Sequence, residues 1–162
     1  MVVKDIKLIW DADIQEGEIV FDPIAQDLES DNTFETAIII SLFSDRRAKK
    51  DDILPDPNSD DRRGWWGDLA SPEATGDRIG SRLWLLNREK TLEDVLVRAK
   101  EYTKEALQWL IDDGAAINVR VETERQGSRG NAQLAIGVKI LKIDGESEAF
   151  NFEAQWVAQF AA

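Results

Sequence analysis

The chain has 162 residues and contains neither cysteine nor histidine. Without cysteine there are no disulfides, thiolate metal sites or thiol nucleophiles, which suits a protein assembled in a reducing cytoplasm. Without histidine there is no Ser-His or Cys-His catalysis and no histidine-based zinc or iron site. Carboxylates, lysine, tyrosine and hydroxyls are all that remain for chemistry. No apolar run reaches signal-peptide length at the N-terminus or membrane-spanning length anywhere, so the expectation is a soluble chain, not exported by a signal peptide. Basic residues are also scarce. Twenty Lys and Arg stand against 32 Asp and Glu, a formal charge of −12 that repels phosphate backbones and anionic lipid. Neither nucleic acid nor membrane is expected as a partner, and plain solubility is the simplest use of such a surface.

The residues that are present indicate a packed core. Apolar residues make up 43% of the chain and there are six tryptophans, enough for one domain over 1–162 without staples. No internal repeat and no linker are evident. Residues 5–10 and 17–22 alternate as two strands joined by a turn through Asp11 to Glu16, with Pro23 ending the second. Asn32 followed by Glu35 is a capping-box signal before Phe34, Ala37, Ile38 and Leu42, so the Ile-rich run 37–43 is expected to be a helix, a buried strand being the alternative. Residues 44–78 carry three of the four prolines and form a long loop. Ile79 to Leu86 suits a short helix with Ile79, Leu83 and Leu86 on one side. Leu92 to Asp113 is the clearest helix: Thr91 caps it, Gly114 ends it, and Leu92, Val95, Leu96, Ala99, Tyr102, Ala106, Leu107 and Leu110 make one stripe. Three strands follow, with Ile117, Val119, Val121 and Thr123 on one face of the first, a Gly-rich turn at 126–131, and a hairpin at Asp144-Gly145. In the last strand Phe150, Phe152, Ala154, Trp156 and Ala158 share a face. The fold class is therefore α+β: an N-terminal hairpin and two to three helices packed on a C-terminal three-stranded antiparallel meander.

Candidate chemistry is sparse. Asp56-Pro57-Asn58-Ser59-Asp60 has the first spacings of a calcium loop, but Asp61 and Gly67 stand where such a loop needs Gly and Glu, and no metal or cofactor is expected. Glu16, Glu18, Asp68 or Asp77 would serve a carboxylate-dependent glycosidase, a pairing that 32 acids make uninformative. More telling is Arg62-Arg63-Gly64-Trp65-Trp66-Gly67-Asp68, two adjacent tryptophans between glycines in a polar loop. They either fold back onto the core or meet a partner. Arg46-Arg47 and Arg62-Arg63, flanking the loop, either lock its acids internally or grip a partner's carboxylates.

The order of the helix Thr33-Phe-Glu-Thr-Ala-Ile-Ile-Ile-Ser-Leu-Phe-Ser-Asp-Arg-Arg47, then Arg62-Arg-Gly-Trp-Trp-Gly-Asp68, then Gly80-Ser-Arg-Leu-Trp-Leu-Leu-Asn-Arg-Glu-Lys90, then Ala106-Leu-Gln-Trp-Leu-Ile-Asp-Asp-Gly114 closely resembles the Mu-like phage baseplate proteins, the gene product forty-six family. The resemblance spans about residues 5 to 160. Members look like counterparts of the T4 gene product twenty-five family of wedge proteins, although this chain lacks the Glu-Pro-Arg motif of that wider group. The resemblance implies a non-enzymatic virion subunit, made in the bacterial host cytoplasm and resident in the contractile-tail baseplate. Its implied partners are wedge and hub proteins and the tail sheath, for which a sheet edge would be the template. The candidate interaction residues are Arg62, Arg63, Trp65, Trp66, Asp68, Arg82 and Trp84. A lysozyme-like glycosidase and a generic acidic adaptor are the rival readings.

Overall fold

The computed structural model describes residues 5–31, 33–69, 78–87, 92–127 and 133–155. The expected caps Asn32 and Thr91, most of the 126–131 turn, Asp77, Trp156 and Ala158 lie outside them. Six short strands open the chain: β1 (Asp5–Ile6), β2 (Leu8–Asp11), β3 (Glu16–Ile19), β4 (Phe21–Asp22), β5 (Asp27–Leu28) and β6 (Ser30–Asp31). The expected hairpin is there as β2 on β3, with Trp10 opposite Gly17. It is only one of three pairings, because β1 pairs with β6 and β4 with β5.

The three pairs meet where the strands change partner. Lys7 N–H donates to the Glu29 carbonyl at 2.8 Å, Glu29 N–H to Val20 at 2.9 Å, and Val20 N–H to Lys7 at 3.1 Å. This closed cycle satisfies all three junction residues. The two hairpin turns are built alike. Asp11 Oδ1 accepts from the N–H groups of Asp13 and Ile14, and Asp22 Oδ1 from those of Ile24 and Ala25. Gln15 and Gln26 then take positive φ, 58° and 52°. Asp11 to Glu16 and Asp22 to Asp27 are thus a local repeat, too short to stand out against so acidic a background.

Asp31 completes the series by holding the start of α1 (Glu35–Phe43). Its Oδ1 accepts from the Thr33 N–H and hydroxyl, both at 2.7 Å, and its Oδ2 from Thr36 N–H at 2.9 Å. Burial opposes charge on Asp31, but these hydrogen bonds prevail and keep its carboxyl below its usual range. The Ile-rich run is therefore helical, with Asp31 at its head. Thr36 joins helix to lobe: its hydroxyl donates to the Ile6 carbonyl and accepts from Leu8 N–H. Trp10 stacks on Phe43 with centroids 3.6 Å apart, and its indole N–H donates to the Glu153 carbonyl.

Instead of a helix over Ile79 to Leu86, a 3-10 turn forms at Leu83–Leu86 and buries Trp84, Leu85 and Leu86, while Ile79 stays exposed. The reason lies at Gly80. A Cβ built there would sit 2.4 Å from the Ser44 carbonyl oxygen, and φ is +95°. This close approach lets Ser81 N–H donate to Ser44 O and Arg46 N–H to Ser81 O, both at 2.9 Å, so the segment runs alongside 44–46. The long amphipathic helix keeps its buried stripe but divides into α2 (Leu92–Ala106) and α3 (Trp109–Asp112). Tightened turns at 107–108 separate them, and the Trp109 indole donates to Ser41 Oγ on α1. Gly114, at φ +71°, ends α3 as expected.

The meander comprises β7 (Ala116–Gln126), β8 (Gln133–Lys142) and β9 (Ser147–Gln155), antiparallel in that order. Thr123, Ile136 and Phe152 form one cross-strand row toward the helices, and Val121, Val138 and Phe150 the next. Ile117 does not share that face. A bulge between Ala116 and Asn118 shifts the phase, burying Ala116 and exposing Ile117.

Gly80→Ala is expected to lower stability by about 2 kcal/mol or more, because strain and a backbone clash coincide. Gly114→Ala, with open space around its Cβ position, is expected to cost about 1 kcal/mol. Denaturant midpoints of the two variants check the ranking.

Candidate functional site

The long loop leaves α1, folds on itself and is fastened to the body through Arg46, Lys49, Asp52 and Arg63. Ala48 N–H donates to the Arg62 carbonyl, and the Arg62 guanidinium to the carbonyls of Lys49 and Lys50. Arg63 pairs with Asp45 at 2.7 Å and its guanidinium lies 4.5 Å from the ring centre of Trp84. Arg47 donates to the Arg63 carbonyl. Gly64 lets the two segments meet, since a Cβ there would fall 2.8 Å from that of Arg47. Asp56, the first residue of the calcium-like spacing, accepts from Asn58 N–H and so closes its own turn.

Arg82 is the strongest clasp. Its guanidinium reaches Asp52 in the loop at 2.7 Å and Glu105 on α2 at 2.8 Å, with the Tyr102 ring centre 4.4 Å away. The side chain is only 11% exposed. Partial burial opposes charge on Glu105, but the hydrogen bonds from Arg82 and Lys49 outweigh it and hold the carboxyl below its ordinary value. Trp84 is likewise internal, 7% exposed, donating to the Arg46 carbonyl. Asp68 accepts at 3.4 Å from Ile79 N–H, and its other oxygen is buried without a partner among the described residues.

Two of the seven candidate residues present large apolar surface to solvent. Trp65 lies across Gly67, where a Cβ would fall 2.1 Å from the indole, and is 43% exposed. Trp66, tilted 44° from it with centroids 5.4 Å apart, is 77% exposed. Arg62, Arg63, Arg82 and Trp84 thus bond to groups of this chain, while Trp66 is the most exposed of the candidate aromatics.

Sequence reasoning missed the character of the N-terminal lobe. Residues 5–31 hold nine acids against Lys7 alone, so eight of the chain's twelve net negative charges sit in one small unit. Counting acids by segment would have shown it. Glu16 and Glu18 lie on β3 and Asp68 in the 3-10 turn Trp66–Leu69, while a cleft of about 760 Å³ between lobe and sheet is lined by Glu35, Glu122, Glu124 and Glu153.

The family model described as Phage protein GP46 matches residues 34–147, from just before α1 into β9. Baseplate protein gp46 of Escherichia phage Mu is 45% identical over 155 residues, covering 94% of this chain and 97% of the relative. The Mu-like prophage FluMu protein gp46 of Haemophilus influenzae is 34% identical over 154 residues, covering 95% and 98% respectively.

Because the folded-state pKa of Glu105 is depressed, the stability it confers is complete above the ordinary value of 4.5 and is lost as pH falls through the lower folded value. Glu105→Gln should therefore flatten the acid side of a Tm–pH profile. Arg82→Ala should cost roughly 2–3 kcal/mol at neutral pH, by leaving two carboxylates without their common partner.

Proposed function

From the premise that this chain belongs to the phage protein GP46 family, we propose that it is a structural subunit of a Mu-like contractile-tail baseplate. In that setting it joins wedge components near the hub and offers a sheet edge on which sheath is laid. It is made in the host cytoplasm and ends in the virion. The observation that carries the docking reading is Trp66, a large indole in water, four residues after Arg62, whose carbonyl and guanidinium are hydrogen-bonded to residues 48–50. An ordered loop gives up little entropy on association, so burying such an aromatic yields a net gain. Trp65 supports it from below, and Arg62 and Arg63 fix the loop's path.

Strand addition is supported at β7. The lobe engages the Glu153 carbonyl of β9, the opposite edge strand, through Trp10. Among the described residues, no backbone hydrogen bond outside the sheet is made by 117–126. Arg120, Glu122 and Glu124 on that strand guard against indiscriminate pairing and would set register with a complementary strand.

Trp66→Ala is expected to leave Tm unchanged while weakening association with co-produced wedge proteins by about 2 kcal/mol, roughly thirtyfold. Trp65→Ala should lower both, because its ring also covers Gly67. Wild-type association by Trp66→Ala in a pull-down would remove the anchor role. Adding purified sheath protein should slow hydrogen exchange of β7 amides, and unchanged exchange there counts against strand addition.

A further inference from the structure

We infer that the N-terminal lobe is a second docking surface, whose occupant is an apolar hollow rimmed by Lys and Arg on another baseplate protein. The inference rests on the baseplate reading and concerns residues 5–31, which precede the segment matched by the family model. Seven of the sixteen large apolar side chains exposed among the described residues belong to this lobe. Ile14 and Ile24 stand in the two turns, Ile24 at 93% exposure, while Ile19 lies along β3 and Phe21 faces Leu28 across the β4–β5 pair. Such a concentration is unfavourable in water and marks a surface that another protein covers.

Charge selects the occupant. Glu29 is taken up by Lys7 at 2.7 Å, and Asp11, Asp22 and Asp31 are turned onto backbone N–H groups. Glu16 and Glu18 stand exposed on β3 with no cationic partner among the described residues. Eight net negative charges around the apolar tips disfavour a second copy of this lobe, a phosphate backbone or an anionic membrane, and favour a basic protein face. The lobe is also prepared for binding. Its hydrogen-bonded junction and Asp-held turns fix the backbone, and Thr36 and Trp10 fix its attachment, so association orders little.

The test is to co-produce the full chain with the tail proteins encoded beside it and purify the complex of wild type, Phe21→Ser/Ile24→Ser, Glu16→Lys/Glu18→Lys and Trp66→Ala. All the substituted lobe residues are exposed, so Tm should stay at the wild-type value. Each lobe variant is expected to weaken the complex about tenfold or more, the charge-reversal effect shrinking as salt rises. In the wild-type complex a zero-length carbodiimide should join Glu16 or Glu18 to a lysine of a different tail protein. A complex that responds to Trp66→Ala but is indifferent to both lobe variants overturns this inference and leaves the baseplate reading standing. Cross-links confined to this chain or to its own copies overturn it as well. If the wild-type chain joins no tail protein, the baseplate reading falls and the lobe inference falls with it.

Discussion

At Gly80 the backbone passes so close to residues 44–46 that only a hydrogen atom fits on its Cα, and the register of everything around the long loop follows from that passage. With Ser81 bonded between Ser44 and Arg46, the next residues reach fixed partners. Arg82 is delivered to Asp52 and Glu105, and Trp84 to the Arg46 carbonyl beneath Arg63. Ser81, itself buried, donates its hydroxyl to the Leu42 carbonyl and so ties the same point to the end of α1. A loop of this length would be costly to hold as an independent tether. Fastened through backbone pairing at one end and arginine clasps along its path, it becomes a layer of the core's surface.

The arrangement divides the charged and aromatic residues into two kinds. Arg62 and Arg63 of the loop and Arg82 beyond it bond to carbonyls and carboxylates of this chain, and the low exposure of Arg82 makes it the most effective brace. The uncompensated acids gather in the N-terminal lobe, beside apolar side chains that the fold leaves in water. Membership of the GP46 family, which includes a baseplate protein of phage Mu, gives both proposed surfaces a setting. An outward Trp66 on a braced loop and an acidic, apolar lobe differ enough in chemistry to recognise different faces.

Where the sequence was legible, local periodicity and burial agree. The stripe from Val95 to Leu110, the Gly114 stop, the alternation of β7 and β9, and the Asp144-Gly145 turn each depend on residues near one another in the chain. Legibility failed where a distant segment intervened. Ile117 alternates correctly, yet a bulge against β8 turns it outward. Ile79 to Leu86 have helical spacing, yet pairing of Ser81 with 44–46 leaves a 3-10 turn at Leu83–Leu86 alone. Asp31, positioned by its pairing with Asp5 across β1 and β6, holds the first turn of α1, a role that the local sequence did not mark. Of the candidate residues, Trp84 and Arg82 could be named from the sequence but not given a direction.

The sequence by itself determined the α+β class, the family, and the absence of thiol and imidazole chemistry, because these depend on composition, short-range periodicity and motif order. Only the tertiary structure decided that three strand pairs close around Lys7, Val20 and Glu29, that Arg62, Arg63 and Arg82 bond to groups of this chain, and that Trp66 is the more exposed of the paired indoles. Those outcomes depend on contacts between segments far apart in the chain, where one close approach such as Gly80 on Ser44 sets which side chains are covered and which remain exposed.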